Sequence, residues 1–283
     1  MDTVAVTGAT GTVGRHVRRL LADRAVAVRA LARNPDRVDA PTDTDAVRFD
    51  FDDPGTWRAA FAGADALFLV RPPSMGRVDA ITDAVDAAVD LGVSRVVFLS
   101  VLGAQRNPLL PHRRIERHLA AAPVDASFLR ASFFMQNLTE VHGDDVRAGR
   151  IRVPAGGGET SFVDARDVAA VAAAALADDA DAHRHYDVTG GDALTYGEVA
   201  AVLSAVLDHR VRYDPDPLPV FVAREARRRG VGVALVEAGV YTTARLGFAD
   251  RVTDDVERVL GRPPRTLPEF ARGHADELAA GSG

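Results

Sequence analysis

The amino-acid sequence predicts an α/β protein with a Rossmann-like, doubly wound parallel sheet and a small, mostly helical C-terminal lobe. Short apolar runs alternate with helical patterns over residues 3–132, and this alternation is typical of βαβ units. The runs are apolar throughout, as in strands that helices cover on both faces of a sheet. After about residue 150 the alternation loosens and helical patterns with proline breaks predominate, which indicates the lobe.

Each element is predicted from its own pattern. The strands of the first half are apolar runs bounded by turn residues, at 3–7, 25–31, 46–51, 64–70, 94–100 and 125–132. The helices between them carry apolar residues at helical spacing, at 13–23, 55–63, 78–91 and 111–122. In the second half we expect a strand leading into a helix within 160–176, a strand at 186–190 and a helix at 195–208.

The composition excludes several classes of protein. The net charge of −6 argues against a nucleic-acid-binding surface, and the absence of cysteine excludes disulfides and thiolate metal sites. No apolar stretch approaches the roughly 20 residues that span a bilayer, and no signal-peptide pattern is present. The pair His183 and His185 lacks a third ligand, so we interpret it as part of a loop and expect no metal. We expect a cytoplasmic protein with a small-molecule substrate and no nucleic-acid or membrane partner, while a homodimer stays open.

The segment "TGATGTVG" places Gly8, Gly11 and Gly14 between a strand and a helix. Gly8 permits a tight turn, Gly11 lets the backbone approach a pyrophosphate, and Gly14 lets the helix lie close to the sheet. The amides and dipole of the helix N-terminus would hold the phosphate charge. We therefore expect residues 1–155 to form an NAD(P)-binding Rossmann core. Residues 156–283 would supply the remaining core elements and a substrate lobe packed on that core, as one structural unit.

The residue after the second strand distinguishes the two nicotinamide dinucleotides. An acidic residue there would bind the ribose 2′-hydroxyl of NAD, but the chain reads "RALARNPDR". The guanidinium of Arg33 can pair with a 2′-phosphate through two parallel hydrogen bonds. A solvated arginine is the alternative. We expect NADP(H) to be preferred over NAD(H).

Six segments resemble the NmrA-like group of atypical short-chain dehydrogenases, close to NADPH quinone reductases and triphenylmethane-dye reductases. They are "VTGATGTVG", "RALARNP", "FLSVLGA", "HRRIERHL", "FLRASFFMQNL" and "FVDARDVAAVAA", in that order along the chain. The resemblance implies that the cofactor is bound by Thr7, Gly8, Ala9, Thr10, Gly11, Thr12, Val13, Gly14, Arg33, Asp50, Phe51, Val70, Arg71, Pro72, Ser132, Phe133 and Phe134. It also implies that the substrate is contacted by Pro73, Phe134 and Asn137. Arg71 departs from the group, which usually has a small residue before the proline pair.

Lysine is absent from all 283 residues, so the tyrosine–lysine pair of ordinary short-chain dehydrogenases cannot be present. The resemblance places His112 at the lysine position. An imidazole, with an ordinary pKa of about 6.5, can donate a proton or a hydrogen bond to a carbonyl under reduction. A helix histidine that covers the sheet edge is the alternative. Ser100 ends the fifth strand, where ligands bind in such sheets, so it either contacts nicotinamide or substrate or satisfies local backbone groups.

These patterns predict an NADPH-dependent reductase that passes a hydride to a quinone-like or other conjugated acceptor. Such an acceptor delocalises its charge on reduction and needs little help from a general acid, which fits the missing pair. The run Phe133, Phe134 and Met135 would stack on a flat acceptor or else be plain core. The main alternative is a non-catalytic NADP(H)-binding redox sensor of the NmrA type. A sugar-nucleotide epimerase is a third possibility, against which the absence of lysine argues.

Overall fold

Helices and strands alternate along the chain, in a computed structural model that describes residues 3–39, 44–72, 77–177 and 185–279. The elements before residue 132 are β1 (Thr3–Val6), α1 (Gly14–Ala22), β2 (Ala27–Ala32), β3 (Thr44–Arg48), α2 (Trp57–Phe61), β4 (Ala66–Val70), α3 (Asp79–Asp90), β5 (Arg95–Val101), α4 (Pro111–Ala121) and β6 (Asp125–Ala131). The following elements are β7 (Phe133–Phe134), α5 (Asn137–Glu140), α6 (Gly143–Arg147), β8 (Arg150–Ile151), β9 (Glu159–Val163), α7 (Ala165–Ala177), β10 (His185–Val188), β11 (Ala193–Thr195), α8 (Tyr196–Val206), β12 (Arg212–Tyr213), α9 (Leu218–Arg229), α10 (Val231–Arg245), α11 (Asp255–Leu260), α12 (Leu267–Gly273) and α13 (Ala275–Leu278).

The first of two units comprises Met1–Ala131, Ala165–Val188 and Asp255–Arg262. Its seven strands form one sheet in the order β10-β6-β5-β4-β1-β2-β3, and every neighbouring pair is parallel. This order confirms the predicted Rossmann-like sheet. From β1 the strands β2 and β3 follow on one side, and β4, β5 and β6 follow on the other. Doubly wound folds bind their ligands at this change in strand order, here between β1 and β4. One core lies against the sheet, with Phe61, Phe98 and Leu67 almost fully buried.

The second unit comprises Ser132–Asp164, Thr189–Asp254 and Pro263–Gly283. It holds two small sheets, in the orders β11-β9-β7 and β12-β8, and the helices α5, α6, α8–α10, α12 and α13. The predicted start of α8 is confirmed, because the Thr195 hydroxyl accepts a hydrogen bond from the Glu198 amide at 3.2 Å and caps the helix. The core of this unit contains aromatic side chains among its aliphatic ones, with Phe162, Phe221 and Tyr241 buried. The expected division of the chain at residue 155 stays a prediction.

Two elements differ from the sequence expectation. The third strand was expected to reach residue 51, but β3 ends at Arg48. The Asp50 amide donates instead to the Thr56 hydroxyl and the Asp50 carbonyl accepts from the Trp57 indole, so the chain turns towards α2. The interpretation of His185 as a loop residue is wrong: it begins β10, in register with Phe128 of β6. His183 lies outside the described residues.

Within the described ranges, no helix combines the length and the apolar character that crossing a membrane requires.

Candidate functional site

The glycine-rich turn lies at the point where the strand order reverses. The Thr7 hydroxyl donates to the Phe68 carbonyl at 3.0 Å and accepts from the Val70 amide at 2.8 Å, so the carboxyl ends of β1 and β4 are joined there. Gly8 follows with a φ of +59°, a conformation that side chains with a Cβ rarely adopt. The turn therefore opens at the crevice between β1 and β4.

The backbone of the turn leaves no room for a side chain at Gly14. A Cβ on Gly14 would lie 2.2 Å from the Gly8 carbonyl oxygen, a distance that no side chain tolerates. A Cβ on Gly11 would meet only that same oxygen, at 3.2 Å, and both Gly11 and Thr10 are exposed. The turn thus presents bare backbone to solvent beside the N-terminus of α1. This cradle fits a pyrophosphate, which needs amide groups without side chains in front of them.

A buried arginine braces this turn from below, and the sequence patterns did not identify it. Arg18 on α1 is 2% exposed, and its Nε donates to the Ala9 carbonyl at 2.8 Å. Both terminal nitrogens donate to the Asp39 carbonyl at 3.1 Å. One side chain therefore ties the glycine-rich turn to the segment that follows β2. The sequence feature that could have identified Arg18 is the position of an arginine on the buried face of α1.

Arg33 follows β2 directly and is exposed. Among the described residues its guanidinium has no carboxylate partner, and the neighbouring Asn34 side chain accepts from the Asp36 amide at 3.1 Å. Asp50 and Phe51 follow β3. The Phe51 ring is 6% exposed and packs edge-on against Phe49 at 4.8 Å, so it belongs to the core at this edge of the sheet.

The crevice beyond β4 carries Val70, Arg71 and Pro72, while Pro73 lies outside the described residues. His112 is at the N-terminal turn of α4, and its ring stacks on Phe98 of β5 with centroids 6.0 Å apart. Burial, and then the charge of Arg71, lowers the pKa of His112 to about 4. At neutral pH its imidazole is therefore uncharged and offers a hydrogen bond rather than a full positive charge. The ordinary pKa used in the sequence reasoning does not hold here.

Ser100 belongs to a buried network of charges. Its hydroxyl donates to Glu116 Oε1 at 2.7 Å, and the Arg130 guanidinium donates to both oxygens of that carboxylate at 3.0 Å. Burial raises the pKa of Glu116, but the hydrogen bonds from Arg130 and Ser100 outweigh it, so the pKa lies below its ordinary value. The sequence reasoning missed Glu116 and Arg130. The signal was the arginine within the apolar run "DASFLRAS".

The remaining candidates belong to the second unit. Phe133 and Phe134 form β7 beside β9, and the Phe133 ring packs edge-on against Phe162 at 5.5 Å. Both phenylalanines are half-buried, whereas Met135 is 3% exposed and is part of the core.

The Ser161 hydroxyl lies 3.4 Å from that of Ser132. Asn137 begins α5, and its carbonyl accepts from the His142 amide at 2.9 Å. Their roles at a cofactor or substrate stay predictions.

The chain is similar to known reductases over almost its whole length. It is 32% identical to an NAD(P)H azoreductase of Xenophilus azovorans, over 98% of this chain and 99% of that protein. It is 34% identical to a (4-alkanoyl-5-oxo-2,5-dihydrofuran-3-yl)methyl phosphate reductase of Streptomyces griseus, with the same coverage. Its fold matches the NADPH complex of an Escherichia coli quinone oxidoreductase with a TM-score of 0.86 and 25% identity, over 95% of this chain and 99% of that one.

The sequence profile of one family matches residues 1–247, a range that contains the glycine-rich turn, His112 and Ser100. The two reductases above exceed 30% identity across essentially the whole chain. The chain belongs to the NmrA-like family.

Proposed function

We propose that this protein is an NADPH-dependent reductase that passes a hydride to a quinone-like or other conjugated small-molecule acceptor. As a member of its family with reductases among its relatives, it is an NAD(P)H-dependent oxidoreductase. The observation that carries the proposal is the bare glycine-rich turn at the reversal of strand order, with His112 at the start of α4 in the same unit. The relatives support the acceptor class, because their names describe reduction of azo, dihydrofuran and quinone compounds.

The chain's own residues supply binding and orientation. Residues 7–14 would hold the pyrophosphate on backbone amides, and Arg33 would pair with the 2′-phosphate. When bound, the nicotinamide supplies the hydride. Neutral His112 would donate a hydrogen bond to the oxygen or nitrogen of the acceptor, where charge develops during reduction. The nearby positive charge of Arg71 would stabilise the same developing charge. A conjugated acceptor spreads that charge, so a strong acid is unnecessary.

Steady-state oxidation of NADPH under anaerobic conditions tests this proposal. The acceptors are a panel of quinones, azo dyes, triphenylmethane dyes and aldehydes. We expect turnover with at least one conjugated acceptor and little with simple aldehydes. Gly11→Val is the variant that removes the proposed cofactor site, since its side chain would occupy the pyrophosphate cradle, and its Cβ would contact the Gly8 carbonyl oxygen at 3.2 Å. This variant should remain folded by circular dichroism and lose both NADPH binding and turnover.

A non-catalytic NADP(H) sensor is the alternative, and it would bind NADPH without reducing any acceptor. A protein that binds NADPH tightly but reduces none of these acceptors would contradict the reductase proposal and favour the sensor. Preferential reduction of simple aldehydes would contradict the proposed acceptor class alone. A cytoplasmic location, the absence of nucleic-acid and membrane partners, and a homodimer stay predictions.

A further inference from the structure

A solvent-open cavity in the first unit is lined by residues outside the glycine-rich turn. It has a volume of about 570 Å³, within the range of roughly 300–1,000 Å³ that is usual for small-molecule sites. Its walls come from α4, from β6, from the first residue of β10 and from the turn after β5. None of its lining residues belongs to the predicted cofactor or substrate sets.

The charges around this cavity are unbalanced. Three arginines line it, namely Arg113, Arg117 and Arg130, against Glu116 as the one carboxylate among the lining residues. Arg130 and Glu116 are 7% and 1% exposed and form a two-pronged ion pair, to which Arg113 adds a hydrogen bond of 3.3 Å. Within the described ranges Arg117 has no carboxylate partner. The lining therefore carries two positive charges in excess, and guanidinium groups match planar carboxylates best.

The remaining lining residues indicate which other chemical groups a ligand would carry. The His185 ring stacks on Phe128 with centroids 5.3 Å apart and planes 17° from parallel, so one wall is flat and aromatic. Ala120 and Ala121 of α4 also line the cavity, with short apolar side chains. The buried side-chain oxygen of Gln105 has no hydrogen-bond partner among the described residues, and a buried acceptor left without a donor is costly. Because Gln105 lines the cavity, rotation of its side chain would turn this oxygen towards a ligand hydroxyl, which would satisfy it.

We infer that this cavity binds an aromatic carboxylate that also carries a hydroxyl group, separately from the dinucleotide. The carboxylate pairs with Arg117 and the free edge of Arg113, the ring lies along the Phe128–His185 wall, and the hydroxyl donates to Gln105. The buried Glu116–Arg130 pair holds the floor of the cavity in place. The same Glu116 accepts from Ser100, so an occupied cavity shares one carboxylate with a candidate active-site residue.

Calorimetric titration with 3- and 4-hydroxybenzoate, and with benzoate as the matched ligand without a hydroxyl, tests the inference. We expect saturable one-to-one binding of a hydroxybenzoate to the full chain, unchanged by saturating NADPH. Arg117→Ala should weaken it at least tenfold. Arg114→Ala is the control, since it removes the same charge from the same helix but at a side chain paired with Asp79; it should change the affinity less than twofold.

Gln105→Leu separates the hydroxyl contact from charge attraction. It should lower the affinity for the hydroxybenzoate to that for benzoate and leave benzoate binding unchanged. Three results would overturn the inference: absence of saturable binding to the wild type, equal losses in Arg117→Ala and Arg114→Ala, or displacement of the ligand by NADPH. Because binding is measured directly, these outcomes do not depend on whether the protein reduces any acceptor.

Discussion

At the scale of single residues, the charge state of His112 sets what the candidate active site can do. Burial against Phe98 and the neighbouring Arg71 lower the imidazole pKa to about 4, because both effects disfavour the charged form. A neutral imidazole still donates one hydrogen bond. The site is therefore suited to acceptors that need orientation and a weak donor, and unsuited to carbonyls that need a strong acid.

His112→Ala should lower the rate of quinone reduction by roughly 10- to 1,000-fold, at or below the usual contribution of a general acid. Cofactor affinity should change much less, since the proposed site for the phosphates is the glycine-rich turn. The wild-type rate should be nearly constant between pH 6 and 8, because the pKa of about 4 leaves His112 neutral throughout. Stopped-flow rates across this range provide the measurement. A wild-type rate that falls as the pH rises through about 6.5 would contradict the role of His112 as a neutral hydrogen-bond donor.

Arg33→Ala should remove most of the preference for NADPH over NADH. Arg33 is exposed after β2 and has no carboxylate partner in the described part of the chain, so it is available to a 2′-phosphate. A charged hydrogen bond contributes roughly 1.5–3 kcal/mol, and NADPH affinity should fall accordingly while NADH affinity stays constant. Calorimetric titration of both cofactors measures this. Equal wild-type affinities for the two would refute the assignment.

At the scale of elements, α1 contributes more than a helix N-terminus. Its Arg18 donates hydrogen bonds to the Ala9 carbonyl and to the Asp39 carbonyl, so it connects α1, the glycine-rich turn and the segment that follows β2. The Thr7 hydroxyl makes the equivalent link between β1 and β4. The turn is thus held by side chains on both sides, which limits its freedom before any ligand binds.

Arg18→Met should weaken binding of NADPH and NADH about equally, because it loosens the turn without touching the 2′-phosphate. The buried Ala9 carbonyl loses its donor, which costs roughly 1–3 kcal/mol of unfolding free energy. Arg19→Met is the matched control: Arg19 is on the same helix, exposed, and 3.5 Å from the Asp39 carboxylate, a contact of small value. Denaturant melts and titrations of both variants are the measurement. Identical behaviour of the two variants would show that the brace is unimportant.

At the scale of the whole molecule, one contribution to the pH dependence of stability comes from a buried histidine, His142. In the second unit, His142 is 3% exposed and lies 2.5 Å from the Tyr241 hydroxyl oxygen. Burial, and then the charge of Arg229, lowers the pKa of His142 to about 3. The unfolded chain takes up a proton here near pH 6.5 and the folded chain does not. This contribution to stability is complete above pH 6.5 and is lost progressively towards pH 3.

Acidification from pH 7 to pH 5 should therefore cost the wild type about 2 kcal/mol of unfolding free energy through His142 alone, at about 1.4 kcal/mol for each pH unit below 6.5. His142→Gln keeps a polar partner for Tyr241 and removes the titration. It should be less stable than the wild type at pH 7 but lose less on acidification. Urea unfolding at both pH values measures the difference. Parallel slopes for the two proteins would contradict the prediction.

The sequence by itself determined the parallel sheet, the position of the glycine-rich turn and the start of α8 near Thr195. These features depend on neighbours along the chain, through the alternation of apolar runs with helical patterns, the glycine spacing and the helical pattern that begins at Thr195. The family and the oxidoreductase class, which the resemblance predicted, were confirmed by the family match over residues 1–247 and by the similarity to known reductases. Positions such as Arg33 and His112 could be named as candidates from the sequence, although their roles stay predictions.

Only the tertiary structure decided the environment of those residues. The pKa of His112, which is on α4, depends on Arg71 and Phe98. Arg71 follows β4 and Phe98 is in β5. The Ser100–Glu116–Arg130 network joins β5, α4 and β6, the brace of Arg18 reaches Asp39 across 21 positions, and β10 returns to the first unit after the chain has built part of the second. Contacts between residues distant in sequence leave no local periodicity, so burial and ion pairing at these sites emerge only when the chain is folded.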